Sequence, residues 1–167
     1  PEFDTTGNIF KALTAVWQNN QGLGHVGGHG YAALLPHAIF IFLLDLFLPA
    51  QLIRLIFCFL MLVSGVIGVK VLLTHFFEKD DNKAWISLSG ALFYLFNLVT
   101  IQNFYAPLET FIIFYGLLPW VILSFSKWLN QPNLTNIIKF FAINVLFSSI
   151  GFIPPVFVVY SLMIGFM

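Results

Sequence analysis

Few side chains in this sequence can do chemistry, and they are thinly spread. Asp4 stands in FDTTGN, just ahead of the helical run IFKALTAVW. A carboxylate there either caps a helix by accepting backbone N–H bonds or takes a proton from a reacting group. His25 and His29 stand four apart in WQNNQGLGHVGGHG, residues 17 to 30. That spacing suits two metal ligands on one helix face. However, glycines at 22, 24, 27, 28 and 30 argue against a helix, and no Cys or carboxylate joins the pair nearby. Hydrogen bonding to a substrate or phosphate, or simple exposure in a polar loop, fits better, and the glycines suit close backbone approach to an anion. No Walker or dinucleotide pattern is present. Asp45 and Arg54 lie on either side of Leu48 and Pro49 and are able to pair. Glu109 is the only charge between Lys83 and Lys127. It stands at a helix start, where the dipole favours a carboxylate. Gln102, Asn103 and Tyr105 form a polar rim beside it.

The background to these residues is apolar. Of 167 residues, 59% are hydrophobic and 8% charged, with 21 phenylalanines; mean hydropathy is +0.92. Soluble domains carry about 25% charged residues, and a water-soluble fold of this length cannot hide so much apolar surface. The expectation is an all-α integral membrane protein. A formal net charge of zero removes the basic footprint of a nucleic-acid binder. The single Cys58 excludes an internal disulfide framework. No signal peptide is visible, the chain opens at Pro1, and it stops inside the apolar run VFVVYSLMIGFM. The expectation is a piece of a longer polytopic protein, without its first helix and much of its C-terminal part.

A spanning helix needs about 20 mostly apolar residues. Residues 52–74 qualify, with Arg54 and Lys70 near the two ends, as do the uncharged residues 85–103. Residues 110–126 make a shorter uncharged span. The run 138–167 is interrupted by GFIPP at 151–155, where two prolines break the helical ladder. Nearly 30 apolar residues exceed one span, which favours two helices meeting at a turn over one kinked helix. In 31–48, Pro36 leaves the twelve residues HAIFIFLLDLFL before Pro49. Twelve residues rise about 18 Å against a hydrocarbon core of about 30 Å. An interfacial or re-entrant helix fits better than a crossing one. The result is a bundle of about four to five spanning helices with an interfacial juxtamembrane helix. It divides into a first loop region, 1–51, and a helical bundle, 52–167.

Lys79 and Lys83 lie in HFFEKDDNK at 75–83, with Lys70 at its border, and Lys127 and Lys139 bound a second polar loop. Two spans separate these loops, so they share a side, which the positive-inside rule makes cytoplasmic. The link QNFYAPLE at 102–109 then faces outward, as does the start of the 52–74 helix. If 31–48 does not cross, the Gly/His segment is also outside. Asp45 becomes interface-facing, and Arg54 either snorkels to the headgroups or meets a lipid phosphate. Trp17, Trp85, Trp120 and Trp128 suit interface anchors.

The order of these features resembles the start of the GT-C class of membrane glycosyltransferases, and most closely the α-(1→3)-arabinofuranosyltransferase family. The likeness rests on Asp4, Lys11 and Trp17, then Gly22 and Gly24 in NQGLG, then Gly30, Tyr31, Leu35 and Pro36 in GYAALLP, and then Leu48, Pro49 and Arg54. GALFYLFNLVTIQNFYAPLETFIIFYGLLPWVI continues it, with a Tyr-bearing helix, a short outer link containing Glu, and an LPW helix. Members often carry two acidic clusters in the first outer loop, and here only Glu2 and Asp4 precede the amphipathic helix.

The resemblance implies inverting transfer of a sugar from a polyprenyl-phosphate donor to a glycan or lipid hydroxyl on the outer face of the plasma membrane. Such a reaction needs a carboxylate as general base, for which Asp4 is the candidate, with Glu109 orienting the acceptor. It also needs groups to hold the leaving phosphate, for which His25, His29, Arg54, Gln102, Asn103 and Tyr105 are the candidates. No cofactor motif is evident, no metal ligand set is assigned, and a divalent metal stays open. The rival reading is a transporter or flippase for a lipid-linked or polar cargo, since transporters use broken helices such as the one at GFIPP. Against it, no repeat is visible and most charge lies in loops. A membrane scaffold without chemistry leaves the polar outer segment unexplained.

Overall fold

The structure, a computed structural model, describes residues 5–14, 17–18, 25–26, 33–106 and 108–167. It is built from helices: α1 (Thr5–Thr14), α2 (Leu35–Asp45), α3 (Ala50–Phe76), α4 (Lys83–Phe96), α5 (Leu98–Tyr105), α6 (Glu109–Asn130), α7 (Leu134–Leu146), a 3-10 turn (Ser148–Phe152) and α8 (Pro154–Phe166). Among the described residues the one exception is a two-residue antiparallel pair, β1 (Trp17–Gln18) with β2 (His25–Val26). Trp17 stands opposite Val26 and Gln18 opposite His25.

Proline placement sets several boundaries. Pro36 occupies the first turn of α2, where a missing N–H is harmless. The 11 residues of α2 rise about 16 Å, too little to cross a bilayer core. By contrast, α3 runs 27 residues from just past Pro49, and α6 runs 22. These two are long and apolar enough to cross a membrane. α4 and α5 reach that length only together, and they are bent by 45° at Asn97, within the stretch expected to be one continuous span. Among the described residues this makes two crossing-length helices, or three with the bent pair, beside the expected four to five. The last apolar run does break: α7 and α8 have 13 residues each, with the 3-10 turn between them.

The chain forms two compact units. The first comprises Pro1–Phe57 and Ser148–Met163, the second Cys58–Phe147 and Ile164–Met167. In the first, α1 packs on α2, and α2 meets the 3-10 turn. The Ser148 hydroxyl donates to the Ala33 carbonyl at 2.9 Å. Phe57, almost wholly enclosed, receives the His37 ring edge-on at 4.8 Å and Phe40 at 6.0 Å. This unit extends past residue 51 because the first turns of α3 supply its buried side chains Ile53 and Phe57.

In the second unit α3 and α6 approach closely. A Cβ on Gly116 would lie 2.9 Å from the Met61 carbonyl oxygen, and one on Gly65 would lie 2.6 Å from the Tyr115 ring. Small residues at such a contact let two helix backbones meet. The Ser64 hydroxyl donates to the Gly116 carbonyl at 3.1 Å, and the Trp120 indole N–H donates to the Ser64 carbonyl and hydroxyl, each at 3.1 Å. Trp120 is thus turned into the α3–α6 contact. Trp85 is 71% exposed in the first turn of α4. α6 supplies most of the core, including Ile112, Ile113, Val121 and Leu123.

Candidate functional site

The outward link expected at 102–109 hangs from two helix irregularities. The first is the break between α4 and α5. Asn97 is extended, with φ −74° and ψ 157°, and its side chain accepts the Thr100 N–H at 2.9 Å, capping α5. The break leaves the last carbonyls of α4 without helical donors. The Asn97 amide nitrogen donates to Phe93 at 3.2 Å and to Tyr94 at 2.8 Å. The Thr100 hydroxyl also donates to the Tyr94 carbonyl, at 2.6 Å.

The second irregularity is Pro119 inside α6. Proline has no N–H, so the carbonyl four residues earlier, on Tyr115, loses its helical donor. The Tyr94 hydroxyl fills that gap at 2.9 Å. In return, the Tyr115 hydroxyl donates to the Tyr94 carbonyl at 3.2 Å. The two rings stack at 4.3 Å and 17°, and Phe104 of α5 meets Tyr115 edge-on at 5.2 Å. Each tyrosine therefore satisfies the carbonyl exposed by the other helix's defect. In an apolar surrounding an unmet carbonyl costs several kcal/mol, so this reciprocal pair fixes where α5 starts and how it lies on α6.

α5 carries three of the expected site residues. Gln102 is exposed, Asn103 half-buried, and Tyr105 90% exposed. Glu109 is half-buried in the first turn of α6, the helix start expected for it. The structure thus brings Gln102, Asn103, Tyr105 and Glu109 to one helix-to-helix connection in one unit. Arg54 lies in the first turns of α3, exposed, and Asp45 ends α2, also exposed. Asp4 directly precedes α1, but it and His29 lie outside the described residues. His25 is described by its backbone alone, paired with Gln18. Among the described residues no group of three His, Cys, Asp or Glu is placed to hold a metal ion.

The tyrosine pair was not anticipated from sequence, although signals for it were present. Asn97 followed three residues later by Thr100 is a capping pattern, and a proline in mid-span demands a donor from elsewhere. No protein-family model, curated protein or solved structure matches the chain.

Proposed function

We propose that the chain is the N-terminal part of a multi-pass membrane glycosyltransferase of the GT-C type, acting on the outer face of the membrane. The observation that carries this reading is the pair of short helices α1 and α2, packed together ahead of the first crossing-length helix, α3. That arrangement suits a lipid-linked donor: an apolar helix too short to cross lies along the interface and walls a groove for the polyprenyl tail. The fuller bundle of four to five spans includes α7 and α8 as a broken pair.

In the reaction, Asp4 takes the proton of the acceptor hydroxyl as its oxygen attacks the anomeric carbon. The bond from that carbon to the donor phosphate breaks, configuration inverts, and polyprenyl phosphate leaves. Arg54 and the Gly/His segment neutralise the departing phosphate, while Gln102, Asn103, Tyr105 and Glu109 orient the acceptor.

The bend at Asn97 supports a second reading, a transporter or flippase, since discontinuous helices are common at transporter binding sites. One experiment separates the two. Vesicles containing the full-length protein receive a radiolabelled polyprenyl-phosphate sugar on one face and an acceptor glycan. Transfer predicts labelled acceptor and stoichiometric free polyprenyl phosphate. Movement of intact donor across the bilayer, with no labelled acceptor, supports the flippase and overturns the enzyme.

A further inference from the structure

A cavity of about 310 Å³ lies between α6 and α7, and none of its lining residues is assigned to sugar transfer. Trp120, Leu123, Ser124 and Lys127 line it from α6, and Asn136, Lys139, Ala142 and Ile143 from α7. On each helix these positions recur at three- and four-residue spacing, so they form two facing stripes. The facing is set by a tight connection: the Asn133 side chain caps α7 by accepting the Asn136 N–H at 2.8 Å. The Asn136 amide nitrogen reaches back to the carbonyls of Gln131 at 3.0 Å and Lys127 at 3.3 Å. Between the same two helices, Trp128 stacks on Phe140 with an interplanar angle of 9°. The groove is therefore braced at its loop end, apolar along its length, and has both lysines toward that loop.

We propose that this groove binds one anionic phospholipid, with its phosphate at Lys127 and Lys139 and an acyl chain along Leu123, Ala142 and Ile143. Charge complementarity selects this occupant. Two cations line the groove with no carboxylate, and no Asp or Glu follows Glu109 in the sequence. A neutral lipid leaves both charges unanswered, and a free phosphate leaves the apolar stripe unfilled. Basic pockets between spanning helices are typical headgroup sites, and each lysine near a membrane surface contributes on the order of a five-fold gain in affinity for acidic lipid. The inference rests on the membrane placement proposed above but not on glycosyl transfer.

The test uses tryptophan quenching by brominated lipid in vesicles containing the full chain, because Trp120 lines the groove. Brominated phosphatidylglycerol should quench more than brominated phosphatidylcholine at equal mole fraction. The Lys127→Gln/Lys139→Gln variant should lose that preference, by on the order of five-fold per lysine. The Lys127→Arg/Lys139→Arg variant should keep it, as should Lys79→Gln/Lys83→Gln, which alters the other lysine loop. Millimolar inorganic phosphate should leave it unchanged. Equal quenching by both lipids overturns the lipid site while leaving the membrane placement intact. A preference that survives the double Gln variant, or that phosphate abolishes, also overturns it. Quenching by neither lipid overturns the membrane placement and the site together.

Discussion

In the unit of Cys58–Phe147 and Ile164–Met167, side-chain hydrogen bonds tie helix to helix through the interior: Ser64 to Gly116, Trp120 to Ser64, and Tyr94 and Tyr115 to each other's carbonyls. In the unit of Pro1–Phe57 and Ser148–Met163, neither α2 nor α8 has a single buried residue. Among its described residues the enclosed groups are Ile53, Phe57, Ser149 and Ile150. The sequence places Asp4, His25, His29 and Arg54, half of the expected site, in that unit. One unit is thus a helical interior braced by side-chain bonds between helices, and the other carries, by sequence, the residues proposed for catalysis. Binding and catalytic residues commonly sit on loops held by a rigid frame.

The largest expected effect lies at Asp4 and touches chemistry alone. Asp4→Asn should lower sugar transfer by about 10²–10⁴-fold while leaving the folded fraction unchanged, because Asn caps a helix about as well as Asp. A normal rate would make Asp4 a cap and move the base to Glu109 or to an acid outside this sequence. The next effect belongs to the braced unit. Gly116→Leu drives a side chain into Met61 and should destabilise the protein by about 1–3 kcal/mol or more, read by unfolding in mixed detergent. Leu43→Ala on α2, where Leu43 is 49% exposed, should change stability by only about 0.5 kcal/mol. Comparable losses at both positions would erase the distinction between the units.

The tyrosine pair sharpens the comparison at smaller amplitude. Tyr94→Phe and Tyr115→Phe should each cost about 1 kcal/mol. The double variant should depart measurably from the sum of the two, because the two hydroxyls donate reciprocally, each to the other residue's carbonyl, across one stacked contact. Strict additivity would show two independent bonds and no lock. The smallest effect expected is at Arg54: Arg54→Lys keeps the charge but loses the planar fork and should weaken donor binding by roughly a few-fold. Arg54→Leu with unchanged activity would show that its charge has no part in the site.

What the sequence disclosed follows how local each determinant is. Pro36 and Pro49 bracket α2, and GFIPP marks the break between α7 and α8, because proline acts on its own ladder. Glu109 fell at a helix start for a similarly local reason. The bend at Asn97 was missed, since FYLFNLVTIQ is apolar on both sides and reads as one span. Asn97 and Thr100 answer the freed carbonyls of α4 locally, and Tyr115, 21 residues from Tyr94, adds a bond that no local pattern encodes. Trp120 was assigned to the interface on residue type, but Ser64, 56 residues away, supplies its partner. The polar loop expected between Lys127 and Lys139 shrinks to residues 131–133, because Lys127 lies in the last turn of α6 and Lys139 within α7. Their convergence on one groove depends on how α7 folds back along α6, which hydropathy does not encode. For the site itself, the polar residues 102–109 and the helix start at Glu109 were legible, whereas the irregularities at Asn97 and Pro119 that position that connection were not.

The central claim is that the polar segment ahead of α2 and the connection after α5 share the outer face of a membrane. The most direct test is single-cysteine labelling of intact cells with a membrane-impermeant maleimide, in a Cys58→Ser background. Cysteines at Asn20 and Gln102 should label from outside, and one at Asp81 should label only after permeabilisation. Labelling of position 20 only after permeabilisation would mean that α2 and its flanks cross the bilayer. The two halves of the proposed site would then lie on opposite faces, and the glycosyltransferase reading would fall with them.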